Sequence, residues 1–210
     1  MRGIPELQSM DVPDWDLIYR EGTPGWETGC VAEELVRVLD EGVVRPGSVL
    51  ELGCGTGADA VHLAKRGFEV TAVDTSPLAL ERARIRADRA GVPIHFVLDD
   101  VFEFAPLAGK FDLVYDAGFY HFIRQTDLSR LLDLLWRLTS PGSYYLTLAG
   151  SSEEDAEGGP PQVTESEIRS ELGRLFEFVH LRPFHFESPR REEGYLGWSC
   201  LMKRPERFAK

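Results

Sequence analysis

The 210-residue chain predicts an α/β fold: a single doubly wound, mostly parallel sheet with an antiparallel last strand. Two patterns carry that expectation. Between residues 48 and 148, short apolar stretches alternate with helical stretches of about a dozen residues, as expected for parallel strands joined by right-handed crossovers and covered on both faces. Beyond residue 174, two β-like stretches follow one another with no helix between them, most simply an antiparallel pair at the sheet edge.

The elements follow in order. Residues 1–26 read as irregular, with Pro5, Pro13 and Pro24 and two tryptophans, Trp15 and Trp26, among acidic and glycine residues. Glu27–Asp40 reads as a helix, since Val31, Leu35, Val36 and Leu39 recur at helical spacing and Thr28 suits its N-cap. Ser48–Gly53 is a strand, Ala58–Arg66 a helix, Phe68–Asp74 a strand, and Pro77–Ala90 a helix opened by Ser76 as N-cap and Pro77 at N1. Ile94–Leu98 and Phe111–Asp116 are strands, Leu128–Leu138 is a helix ended by Ser140-Pro141-Gly142, and Tyr144–Leu148 is a strand. Residues 151–162 are acidic, then Gly/Pro-rich, and read as a loop, with Glu153-Glu154-Asp155 either solvated or a lid. Thr164 and Glu167 form a capping-box pattern for the next helix. Leu175–Arg182 and Tyr195–Lys203 are the final pair. No repeat and no linker interrupts the chain, so residues 1–210 are expected to form one domain.

Composition limits the function. Lys and Arg number 23 against 35 Asp and Glu, a formal charge of −12, with 43 % hydrophobic residues. That is a globular composition whose surface repels phosphate backbones, which argues against nucleic-acid partners and anionic membranes. No apolar run approaches the ~20 residues that span a bilayer, and the N-terminus lacks the apolar core of a secretory signal. Cys30, Cys54 and Cys200 form neither a disulfide framework nor a zinc pattern, so a reducing cytoplasm is expected and no metal site is.

The strongest local signal is Val49-Leu50-Glu51-Leu52-Gly53-Cys54-Gly55-Thr56-Gly57, running from strand into helix. A ligand can sit at such a turn, at the carboxyl edge of a sheet, and glycines at alternate positions let the backbone approach it. Asp74 ends the next strand 21 residues after Gly53, where an acid can accept hydrogen bonds from both hydroxyls of an adenosine ribose. The plain alternative is a tight turn with a helix-capping Asp. Gly53-x-Gly55-x-x-Ala58 also reads tolerably as a dinucleotide fingerprint, but Gly57 gives G-x-G-x-G preceded by Glu51.

That spacing resembles motif I of class I S-adenosylmethionine (SAM)-dependent methyltransferases. The resemblance implies a Rossmann-like, seven-stranded sheet and SAM as cofactor, with residues 48–150 as the SAM-binding core, 1–47 as an N-terminal cap segment and helix, and 151–210 as loop, helix and terminal strand pair. It implies that Glu51, Gly53, Cys54, Gly55 and Gly57 line the cofactor, that Asp74 and Thr75 meet its ribose, and that Asp100 and the Val101 backbone meet the adenine, with Asp99 as the second choice. Phe111–Asp116 matches the fourth-strand motif that approaches the methionine part and the acceptor, and Ser140-Pro141-Gly142 the turn before the fifth strand. The stretch Trp15–Gly29 resembles the thiopurine-methyltransferase-like group, which includes tellurite-resistance and halide/thiol methyltransferases. That group's common Pro-Pro-Trp-Asp is Pro24-Gly25-Trp26-Glu27 here. Gly158-Gly159-Pro160-Pro161 with Thr164–Ile168, and Tyr115–His121, resemble the same group.

The chemistry is consistent with the resemblance. An aromatic face can help hold a sulfonium. Trp26 is read either as that cover or as a core residue, and Trp15 as packing or a wall of the acceptor pocket. Trp136 and Trp198 read as core. Methyl transfer mainly requires placement of a nucleophile and exclusion of water. A thiol, with a pKa of ~8.5, needs little acid–base help, whereas a hydroxyl needs a base or a metal. Candidate bases are Asp116, Tyr120 and His121. Asp116 can equally orient the methionine ammonium, and His121 can equally cap or pack. His62, His95, His180 and His185 have no motif context, and Cys30 and Cys54 read as packing. The expected function is methyl transfer to a small molecule, a thiol or other soft nucleophile, by a monomer or weak dimer. The alternatives are O- or N-methylation on the same fold, an NAD(P)-dependent oxidoreductase, and a non-catalytic SAM-binding regulator.

Overall fold

The computed structural model describes residues 13–22, 24–103, 110–154, 160–189 and 191–206. Pro5, Thr23, Asp155 and Gly158-Gly159, read above, lie outside the described residues.

In chain order the elements are α1 (Trp15–Glu21), α2 (Glu33–Asp40), β1 (Ser48–Leu52), α3 (Ala58–Lys65), β2 (Glu69–Asp74), α4 (Pro77–Ala90), β3 (His95–Leu98), β4 (Leu113–Ala117), α5 (Phe119–Leu138), β5 (Tyr144–Ser151), β6 (Gln162–Val163), α6 (Glu165–Leu172), β7 (Glu177–Phe186) and β8 (Tyr195–Lys203). The sheet runs β3-β2-β1-β4-β5-β8-β7, parallel through β5 and antiparallel for the last two strands. The expected seven strands are this path. An eighth, the two-residue β6, pairs parallel with the end of β5, inside the stretch read as a loop.

Side chains alternate between the two faces, as strand geometry requires. Val49, Leu113, Tyr115 and Leu146 pack with α2, α3 and Leu80 of α4, while Leu50, Leu52, Val114 and Tyr145 pack with α5 and α6. Ser76 caps α4, accepting the Ala79 N–H at 3.1 Å, and both halves of the Thr164 capping box form. Trp198 is core, its Nε1 donating to the Val163 carbonyl at 3.0 Å.

Several expectations are corrected. Residues 15–21, read as irregular, form α1, capped by Asp14, which accepts the Leu17 N–H at 3.0 Å. The helix expected from Glu27 starts at Glu33. Glu27 and Thr28 instead accept the N–H groups of Gly29 and Cys30, which makes a turn, and Asp59 accepts the Ala32 N–H at 2.8 Å. Cys30 is therefore exposed before the helix, not packed on it. The helix expected from Leu128 begins at Phe119 and kinks at Asp127, whose carboxylate accepts the Arg130 N–H and caps the half that was foreseen. Trp136 is 43 % exposed rather than core, with the Arg204 guanidinium 3.5 Å from its ring centroid. Glu154 is not simply solvated: it pairs with Arg191 at 2.5 Å and accepts the Leu196 N–H of β8.

Candidate active site

The carboxyl ends of β1, β2, β3 and β4 open onto one cavity of about 1040 Å³. That is at the upper end of the range for single-ligand pockets, so it has room for a cofactor and an acceptor side by side. Its floor includes Gly53 after β1, Asp74 and Thr75 at the end of β2, Asp100 and Val101 after β3, and Gly118 after β4. Asp99 is not among the lining residues; its carboxylate accepts the Asp100 N–H at 2.9 Å.

Asp74 is held from both sides. One oxygen accepts the Gly55 N–H at 2.8 Å and the other the Ser76 N–H at 2.9 Å. A carboxylate has about four acceptor positions, so roughly two remain. Burial pushes its pKa up against these backbone donors. Beneath the loop, Glu51 is buried and its Oε2 has no partner. Burial, then the charges of Asp59, Asp74 and Asp116, push it well above the carboxylate range.

The glycines divide their work. Gly53, Gly55 and Gly57 all have left-handed φ, but of the three only Gly53 lines the cavity. A Cβ at Gly55 would lie 2.8 Å from the Tyr19 hydroxyl, and one at Gly57 2.8 Å from the Ala83 Cβ of α4. Gly55 thus admits a covering tyrosine and Gly57 a neighbouring helix, a correction to the view that all three face a ligand. The Cys54 side chain is likewise turned into the core, where burial raises its pKa well above the ordinary thiol value.

The cover comes from the N-terminal segment. The Asp16 Oδ1 accepts the Ser76 hydroxyl at 2.8 Å and the Leu78 N–H at 3.2 Å, which ties α1 to the start of α4. Glu27 accepts the Thr56 hydroxyl at 2.7 Å, and Arg86 donates to the carbonyls of Thr56 and Gly29. Trp26 stands at the rim, 55 % exposed, edge-on to Trp15 at 5.9 Å, and Trp15 in turn meets Phe122 at 5.0 Å. Tyr19, Asp16 and Phe122 were not foreseen. The Asp14/Asp16 start of a short helix was the one available signal for the first two.

The three candidate bases are separated. Asp116 is fully buried on the α5 face, not in the cavity wall. Its Oδ1 accepts the N–H groups of Phe119 and Tyr120 and the Thr147 hydroxyl, and its Oδ2 accepts the Tyr145 hydroxyl at 2.7 Å. Burial raises its pKa to about 6. Tyr120 is also buried, donating to Glu171 at 2.7 Å, and its pKa rises far above the phenol range. Both expectations of an acceptor-facing group are corrected: the strand-to-helix turn needs Asp116 as a cap, and α6 receives Tyr120. His121 alone of the three lines the cavity. It is 6 % exposed, its Nδ1 accepts the Gly150 N–H at 2.9 Å, and burial lowers its pKa to about 4.

Residues 49–142 match the family described as a methyltransferase domain. The chain is 27 % identical over 164 residues to a 2-heptyl-1-hydroxyquinolin-4(1H)-one methyltransferase of Mycobacteroides abscessus, covering 76 % of this chain and 71 % of that one. It is 28 % identical over 160 residues to probable thiol methyltransferase 2 of Arabidopsis thaliana, covering 75 % and 70 %. A structure described under the conversion of a disulfide bond into a thioacetal group during echinomycin biosynthesis shares the fold, with TM-score 0.78, 24 % identity and coverage of 91 % and 92 %. So does magnesium protoporphyrin IX methyltransferase of Synechocystis PCC 6803 with bound SAM, with TM-score 0.62, 18 % identity and coverage of 82 % and 76 %. A parallel sheet opening at its carboxyl edge onto an acid-lined cavity, together with this family match, defines a Rossmann-like transferase with a nucleoside cofactor. With residues 49–142 matching a methyltransferase family, the enzyme is a SAM-dependent methyltransferase of small molecules. Its residues fit that cofactor. Glu51 Oε2 is an unpartnered buried acceptor, and Asp16, Asp59, Asp74 and Asp100 make the wall favourable to a cation. No helix among the described residues is long and apolar enough to cross a membrane.

Proposed function

We propose that this methyltransferase acts on an apolar small molecule through a thiol or similarly soft nucleophile. The observation that carries the reading is the fate of the three expected bases. The carboxylate of Asp116 and the hydroxyl of Tyr120 are consumed inside the protein, and the Nδ1 of His121 is occupied by a backbone N–H. An acceptor that ionises unaided near neutral pH fits such a site, because a thiol of pKa ~8.5 already gives a few per cent thiolate. The thiol methyltransferase relative agrees with this. The hydroxyquinolinone methyltransferase relative keeps an acidic hydroxyl as the second reading.

SAM supplies an electrophilic methyl group on a sulfonium. The chain's residues then have separable tasks. Asp74 takes the ribose hydroxyls with its remaining acceptor positions, Thr75 flanks them, and Asp100 and the Val101 backbone border the adenine. Gly53 allows close approach beside the methionine part. Glu51 does not line the cavity, which corrects the expectation that it touches the cofactor; a cation in the cavity would favour its ionised form. Trp26, on the cavity rim, would cover the sulfonium, where an aromatic ring over a cation contributes ~0.5–2 kcal/mol. Trp15, Phe122 and the cover exclude water and hold the acceptor in line, which can supply ~7–11 kcal/mol.

The test is titration calorimetry with SAM and with NAD, followed by mass spectrometry of methylated products from a panel of thiols, selenite, halides and phenols. SAM binding with methyl transfer to sulfur is expected. Asp74→Ala should weaken SAM by ~1–3 kcal/mol. Unchanged affinity removes the ribose assignment, and methylation of phenols alone removes the soft-nucleophile reading.

A further inference from the structure

His121 was read as a candidate base or as a capping or packing residue, and its surroundings give it a different role. A neutral imidazole has one nitrogen that donates and one that accepts. The Gly150 N–H donates to Nδ1 at 2.9 Å, so the ring proton sits on Nε2. Gly150 cannot easily move off the ring. It is paired in the sheet with Gly197 and Gln162, and a Cβ built on it would lie 2.8 Å from the Pro160 Cγ and also strike the Pro161 carbonyl. The opposite edge of the imidazole faces the turn after β4, where a Cβ on Gly118 would lie 3.4 Å from Nε2. His121 and Gly118 both line the cavity, as do Phe119, Phe122, Pro160 and Pro161, so the nitrogen next to Gly118 is the one nearest that space. Burial lowers its pKa, and among the described residues no charged side chain adds to that shift.

We propose that His121 is a fixed hydrogen-bond donor, its Nε2–H holding the sulfur of an apolar, aromatic thiolate against the methyl group. This rests on the soft-acceptor reading above and adds the residue that selects the acceptor and the class it selects. One sulfur lone pair accepts the Nε2–H, and another forms the bond to the methyl carbon. The electron pair of the breaking carbon–sulfonium bond goes to the departing sulfur, which leaves as a neutral thioether. His121 keeps its proton throughout, and the acceptor's own proton is lost to water beforehand. The aromatic and proline walls favour a ring over a hydrophilic chain.

Two measurements test the proposal. In long-range ¹H–¹⁵N spectra of histidine-labelled protein, His121 should be the Nε2–H tautomer from pH 6 to 8; an Nδ1–H signal overturns the donor whatever the acceptor proves to be. In kinetics with SAM, benzenethiol should be preferred to 2-mercaptoethanol. His121→Phe should lower kcat/KM for benzenethiol roughly ten- to hundredfold, as for loss of a hydrogen bond to a charged group. His121→Gln, whose amide can both accept from Gly150 and donate into the cavity, should recover most of that loss. SAM affinity should stay near the wild type in both variants, while melting temperature should fall for His121→Phe, which leaves the buried Gly150 N–H without an acceptor, and be largely held by His121→Gln. A Phe variant as active as wild type, or a Gln variant as impaired as Phe with its fold intact, overturns the proposal. Turnover of phenols in place of thiols, with the same Phe loss and Gln recovery, overturns the thiol reading and supports the donor. Turnover of none of the panel overturns both.

Discussion

Gly57→Ala separates backbone strain from packing at the turn that forms the cavity floor. Gly57 has φ +74°, so a side chain there costs ~1–2 kcal/mol. A Cβ would also lie 2.8 Å from the Ala83 Cβ and 3.3 Å from its Cα, on the backbone of α4. Overpacking of that kind costs ~1–3 kcal/mol. The smaller conformational freedom of Ala in the unfolded chain offsets ~0.4–1 kcal/mol. The net expectation is a loss of about 1–4.5 kcal/mol. Gly91→Ala is the internal control: φ is +67°, but nothing lies within 4 Å, so only strain remains and the net loss should stay under about 1.5 kcal/mol. Urea unfolding of both variants, with unchanged m-values, reads the difference directly. Combining Gly57→Ala with Ala83→Gly should recover about 1–3 kcal/mol as a coupling energy, although the helix loses its alanine. Equal losses at Gly57 and Gly91, or strict additivity in the double variant, would refute the close approach of loop and helix.

Three further outcomes are expected. The Asp116 pKa is raised to about 6 in the folded protein, so its contribution favours folding below the unfolded carboxylate pKa and is lost as pH rises towards 6; Asp116→Asn should flatten the slope of unfolding free energy against pH between about 4 and 6, and an unchanged slope means that Asp116 does not titrate there. Arg86→Ala frees the carbonyls of Thr56 and Gly29 and should weaken SAM binding severalfold while leaving the far-ultraviolet circular dichroism unchanged; wild-type affinity would show that this tie does not support the cofactor site. Thr164→Ala removes the hydroxyl half of a capping box and keeps the backbone N–H donation to Glu167, for about 1 kcal/mol of stability with SAM affinity intact; a drop in affinity would mean that α6 reaches the site.

What could be read in advance was what local chemistry decides. Ser76-Pro77 opens α4, the Thr164 box opens α6, and the Tyr195–Lys203 run is β8 to the residue. The linear pattern placed Gly53 and Asp74, and the family resemblance added Thr75, Asp100 and Val101; all five line the one cavity. What failed depends on partners distant in sequence. The first turn of α5 has no side-chain cap at Gly118 and is capped from within β4, by Asp116, so the same contact hid the helix start and removed a candidate base. Trp136 falls on an apolar stripe but is stacked by Arg204, a residue beyond the last strand. The acceptance of the Gly150 N–H by His121 depends on how β5 and the proline loop meet, and no spacing in the chain encodes it.

The anchoring of α1 bears on how the protein is made. Seven residues are too few for a helix to persist alone in water. Those that secure α1, Ser76, Leu78 and Arg82, leave the ribosome some sixty residues later. The segment synthesised early must therefore stay unstructured until the second crossover has formed. Completion of the binding chamber waits on that crossover, and a chain that fails to dock α1 would keep its sheet yet retain SAM poorly.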